Sequence, residues 1–115
     1  MSDDAHLGWY SVRCVFAFGS PAGSAPATYE ERITLWCARS AEEAIARAEA
    51  EALEYVALLE EPPSTYTGLA QCYQLADEPG DRAEVFSLMR DSQLEPDDYV
   101  DGFFETGRER QRTLE

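Results

Sequence analysis

Residues 28–59 read TYEERITLWCARSAEEAIARAEAEALEYVALL, and their two halves follow different periods. Thr28 to Ala38 alternates with a period of two, the signature of a strand with two unlike faces. Tyr29, Ile33, Leu35 and Cys37 fall on one side, and Glu30, Arg32, Thr34 and Trp36 on the other. The apolar side is expected to face the core, with Glu31 near one end where it can reach water or an arginine. Ser40-Ala41-Glu42-Glu43 then forms a capping box. The Ser40 hydroxyl can accept from the Glu43 amide, while the Glu43 carboxylate reaches back to the amide of Ser40. A helix is predicted from Ala41 to about Leu59, ended by Glu60-Glu61-Pro62-Pro63. Ala44, Ile45, Ala48, Ala52, Tyr55, Val56 and Leu59 share its inner face, where small alanines allow close approach to a sheet.

Working outward, residues 1–8 read as a frayed arm, and Trp9 to Phe18 alternates as a first strand with Tyr10, Val12, Cys14, Phe16 and Phe18 on one side. Residues 19–27, GSPAGSAPA, form a loop. Beyond the helix a third strand is predicted from Thr65 to Ala76, a turn at Asp77-Glu78-Pro79-Gly80-Asp81, and a fourth strand from Arg82 to Arg90. A short helix is predicted to begin near Pro96, to carry Tyr99, Val100, Phe103 and Phe104 on its apolar face, and to end at Gly107. The order β-β-α-β-β-α gives an α+β fold: a four-stranded antiparallel sheet with the long helix on one face and a short C-terminal helix. One domain is expected over 9–107, with a flexible tail over 108–115. Trp9, Val15 and Trp36 are expected opposite the core, as a possible interface. The second sheet face needs cover, from the short helix and from a second copy of the chain.

The 115 residues carry a formal net charge of −14, and every basic side chain is arginine. That charge disfavours phosphate backbones and anionic membrane surfaces, so neither nucleic acid nor membrane is expected as a partner. Cys14, Cys37 and Cys72 are odd in number and widely spaced. The chain opens on the acidic Met1-Ser2-Asp3-Asp4 without an apolar leader. A reducing cytoplasm with free thiols is expected.

Three segments, WYSVRCVFAFG (9–19), YEERITLWCARSAEEAIARAEAEALEY (29–55) and EPGDRAEVFSLMRDSQLEPDDYVDGFFETG (78–107), resemble a family of small bacterial proteins catalogued as domain of unknown function number four-two-eight-eight. The resemblance implies a bacterial, cytoplasmic protein and brings no activity and no site residue with it.

Candidate chemistry is sparse. The single histidine, His6, lies in the expected arm, where nothing holds it as a catalytic base. The absence of lysine excludes Schiff-base chemistry and a P-loop. The cysteines fall on three strands and read as structural thiols, since zinc normally takes four ligands. Asp97 and Asp101 would share a helix face, but acids in a first helical turn need no metal. Glu30 and Glu31 lie on opposite sides of a strand and so do not form a hydrolytic pair. Arg13 with Glu30, and Tyr29 with Arg32, are expected as sheet-surface pairs.

The reading is a non-catalytic, homodimeric protein-interaction module with an acidic surface, an inhibitor or immunity-type protein being one form. No cofactor is expected, and a basic protein is a possible partner. Two alternatives stand beside it: a small-molecule binder with a cleft between the sheet and the short helix, and a carboxylate-based enzyme.

Overall fold

The computed structural model describes residues 7–19, 28–59 and 64–104. Three strands and two helices follow in the order β1 (Gly8–Phe18), β2 (Thr28–Ala38), α1 (Ala41–Leu58), β3 (Ser64–Gln74) and α2 (Pro96–Phe103). The strands form one antiparallel sheet in the order β2-β1-β3. The predicted α+β class and the first three strands are present, with β1 starting one residue earlier than expected, at Gly8.

The predicted four-stranded sheet is not. Residues 82–90 form no strand and join no ladder. A turn does form: Ala83 N–H donates to the Gly80 carbonyl, and Arg82 takes a left-handed φ of 69°. Beyond it Glu84 accepts from Tyr73 Oη and Phe86 packs on Arg13 and Tyr73, so the segment is held to the sheet face and not to the edge of β3.

The core lies between one sheet face and α1. Tyr10, Val12, Cys14 and Phe16 of β1 pack against Ala44, Ala48 and Ala52 of α1. The alanines recur every four residues, so all three lie on one helical stripe. With no side chain beyond Cβ, they bring the helix close to the strands. Phe16 and Val12 are wholly buried, each contributing about 2 kcal/mol of transfer free energy. Ile45, Tyr55, Val56, Trp36, Tyr66, Ala70 and Cys72 close the margins. The predicted inner helix face is therefore present except at Leu59, which is exposed as the C-cap.

The capping box differs in one bond. Ser40 Oγ accepts from Glu43 N at 3.0 Å as expected, but the Glu43 carboxylate accepts from the Arg39 amide at 2.6 Å, one residue before the cap. On β3, residues 67–69 form an irregular bulge opposite Val15, between the pairs Cys14–Ala70 and Phe16–Tyr66. Gly68 supplies a φ of 93° there, a conformation that glycine adopts at no steric cost. Thr67 Oγ1 donates to the Val15 carbonyl at 2.9 Å and pins the bulge to the central strand. Ala70, Cys72 and Gln74 keep the helix-facing side, while Gln71 and Tyr73 face away.

The expected arm other than Leu7 and Gly8, most of the first loop, the Glu60–Pro63 stop, Gly107 and the tail lie outside the described residues.

Candidate interaction surface

The register of the first hairpin decides what each sheet face carries. Tyr10, Val12, Cys14 and Phe16 pair with Trp36, Thr34, Arg32 and Glu30. Those four β2 residues therefore lie on the helix side, and Tyr29, Glu31, Ile33, Leu35 and Cys37 lie on the other. This reverses the expectation for β2. Tyr29 is 66% exposed, Ile33 44% and Leu35 42%, on a sheet face that α1 does not cover.

The interface candidates separate accordingly. Trp9 and Val15 are on the open face, paired with Cys37 and Glu31. Trp36 is on the helix side, where its indole Nε1–H donates to Thr34 Oγ1 at 2.7 Å and the Arg47 guanidinium sits 5.1 Å from its ring centroid. Arg47 also donates to the Cys37 carbonyl at 2.9 Å, so Trp36 helps lock α1 to β2.

Arg13 occupies the middle of the open face. Its guanidinium donates to Gln71 of β3 and to Glu31 of β2, the latter at 3.2 Å, so one side chain ties three strands together. Glu31 thus finds the arginine expected of it, although Arg13 pairs with Glu31 and not with Glu30. The Phe86 ring lies over Arg13, 5.0 Å from its guanidinium carbon, and 6.1 Å from the Tyr73 ring. Tyr73 Oη in turn donates to Glu84. The segment that was expected to be a fourth strand therefore folds across the β1–β3 half of the open face. Ser11, between its ladder partners Leu35 and Tyr73, is wholly buried there, and its hydroxyl has no hydrogen-bond partner. Among the described residues nothing covers the β2 half, where Tyr29, Ile33 and Leu35 are exposed.

The expected cover from the short helix is absent. Among the described residues α2 contacts no other helix or strand. It is held locally: Arg90 donates to Tyr99 Oη at 2.8 Å and lies 4.9 Å from the Phe103 ring, while Tyr99 packs on Phe103 and Phe104 at 4.7 and 5.9 Å. Leu88, Met89, Leu94, Val100, Phe103 and Phe104 are all exposed, Met89 at 93%. Residues 85–104 thus form an arm that exposes apolar side chains between the charged Arg90, Asp91, Glu95, Asp97, Asp98 and Asp101. The cleft expected between the sheet and this helix does not form. The groove that is present is open and lies within the arm itself, between residues 88–94 and α2.

The chemistry-bearing side chains cluster elsewhere, along the two flanks of α1. On the β2 flank Arg32 donates twice to Glu51, at 2.7 and 2.9 Å, and stacks 4.0 Å from the Tyr55 ring centroid. Tyr55 Oη donates to Glu30 at 2.7 Å. Arg32 is therefore engaged with α1, not with Tyr29. On the β3 flank Tyr66 Oη donates to Glu49 at 2.6 Å. Phe16 separates the two flanks, edge-on to Tyr55 and tilted against Tyr66.

The Arg32 hydrogen bonds hold the Glu51 carboxyl below its ordinary range. Burial, then the bond to Glu49, pushes the Tyr66 phenol well above its own. Burial also raises the Cys14 and Cys72 thiols, which disfavours the nucleophilic thiolate. Each of these groups is fixed in the protonation state that serves packing, none poised near neutrality for proton transfer. Cys14 and Cys72 face α1 while Cys37 faces away, so the sheet separates Cys37 from the other two thiols; all three are free. Asp97 and Asp98 occupy the exposed first turn of α2. His6 lies outside the described residues. Among the described residues no cluster of three metal-ligating groups occurs, and no helix is long and apolar enough to cross a membrane.

Sequence reasoning missed Tyr29, Ile33 and Leu35 as surface residues because apolar alternation says which side chains share a face, not which face is covered. The counter-signal was the charge of α1. Glu51 and Arg47, beside the alanine stripe, suit Arg32 and Trp36 as neighbours better than they suit Ile33 and Leu35. No family model, no curated protein and no solved structure matches the chain.

Proposed function

We propose that the chain is a non-catalytic protein-interaction module that self-associates through the open face of its sheet. The observation that carries this reading is the uneven cover of that face: Phe86 lies over the β1–β3 half, and Tyr29, Ile33 and Leu35 of the β2 half stand exposed beside it. Apolar side chains grouped on one surface are characteristic of contact with another protein. Trp9 and Val15 belong to the same face; Trp36 supports it from behind. The resemblance to the four-two-eight-eight family brings no activity, so the reading rests on this geometry. Free thiols at Cys14, Cys37 and Cys72 suit a reducing, cytoplasmic setting.

The net charge of −14 favours a second role, a rim for a basic protein, with Glu42 and Glu54 exposed on the outer side of α1. Light scattering on the wild type and on the double variant Ile33→Glu, Leu35→Glu tests self-association. The wild type should run as a dimer and the variant as a monomer with the same far-UV circular dichroism. Equal masses for the two would remove the β2 half of the open face from the reading.

A further inference from the structure

Resting on the self-association just proposed, we infer that residues 85–104 act as a clasp between two copies: the arm of each lies on the uncovered β2 half of the other's open face.

A stable protein interface buries about 800 Å² of accessible surface on each partner. Phe86 already lies over the β1–β3 half of the sheet, which leaves Tyr29, Ile33 and Leu35 of the β2 half as the exposed apolar part of the face. The arm adds Leu88, Met89, Leu94, Val100, Phe103 and Phe104, all exposed, to what a second copy can bury.

Among the described residues the chain therefore carries a partly covered apolar face and a helix whose exposed Val100 and Phe103 have no support from another helix or strand, and its own α2 does not reach its own sheet. The radius of gyration, 17.0 Å, against about 13 Å for a compact chain of this length, is that of a molecule with a projecting part. Eight helical residues span about 12 Å, short enough to lie along the roughly 37 Å of β2. Two-fold exchange satisfies both surfaces at once and closes the assembly at two copies.

Charge fits the same arrangement. Both copies are strongly acidic, so their contact must be apolar. On β2 the one charged side chain among the open-face residues, Glu31, is already paired with Arg13. α2 carries three acids, Asp97, Asp98 and Asp101, which stay at the rim of the contact, while Phe103 and the C-cap Phe104 lie at its C-terminal end.

The test places p-benzoylphenylalanine at position 103 of the full chain and mixes ¹⁴N and ¹⁵N protein before irradiation. Mixed-isotope cross-links from position 103 to residues 29–37 are expected. In parallel, Phe103→Ser with Phe104→Ser should weaken dimerisation by about tenfold or more, with α1 and the sheet intact by circular dichroism. A dimer whose cross-links are within one copy, or land elsewhere, overturns the clasp and leaves self-association standing. A wild type that stays monomeric at every concentration overturns both.

Discussion

Arg32 and Tyr66 show how single residues bind the helix to the sheet from its two flanks. The lowered Glu51 carboxyl makes the folded state bind fewer protons than the unfolded chain in mildly acid solution. Its stabilising contribution is therefore complete above the ordinary value of 4.5 and is lost as pH falls through the lowered folded value. Glu51→Gln should cost about 1 kcal/mol at neutral pH and flatten the acid limb of a urea-melt series. An unchanged limb would mean that the pair contributes nothing. Tyr66 has the opposite sign. Its raised phenol keeps its stabilising share below the ordinary value of 10.0, and that share is lost as pH rises towards the folded value. Spectrophotometric titration near 295 nm should find Tyr66 ionising only as the protein unfolds, and Tyr66→Phe should remove that late step. Ser11 gives a third prediction at this scale. Its buried hydroxyl lacks a partner, so Ser11→Ala should leave stability equal or raise it by about 1 kcal/mol. A clear fall in melting temperature would show that the hydroxyl is engaged.

At the scale of elements, the alanine stripe of α1 is the feature on which the two-layer packing depends. Ala44, Ala48 and Ala52 are buried to within 1%, so Ala48→Leu should destabilise by about 1–3 kcal/mol despite adding apolar surface. Ala46→Leu on the exposed side serves as the control, and a denaturant melt distinguishes them. This stripe, the Ser40 cap and the bounds of α1 were legible because helix starts and four-residue repeats are local properties. β2 was delimited correctly for the same reason, yet its faces were assigned the wrong way round. Which side of β2 is covered depends on its register with β1 and on where α1 crosses. On the helix side of β2 the work is done by the Arg32–Glu51 and Arg47–Trp36 contacts instead of by aliphatic packing. Residues 82–90 were misread because an apolar run rich in Val, Phe, Leu and Met suits a strand wherever an edge is offered. Phe86 instead packs on Arg13 and Tyr73 across the sheet face, and such a long-range side-chain contact leaves no mark in the local alternation. Trp9 and Val15 were placed on the open face correctly, since they follow from the parity of β1 alone.

For the whole molecule, the proposed association balances two opposing effects: apolar contact between the open faces and the arms would favour a dimer, and two chains of formal charge −14 repel one another. Added salt shortens the range of that repulsion, so the dimer should tighten as sodium chloride rises from low to physiological ionic strength. Contact with a basic protein would show the reverse dependence and weaken with salt. Multi-angle light scattering on the wild-type chain over a wide concentration range tests whether the exposed β2 half of the sheet is a self-association surface. A mass twice that of the 12.9 kDa chain, lost in the Ile33→Glu, Leu35→Glu variant, is the predicted result; a wild-type mass of one chain at every concentration would contradict it.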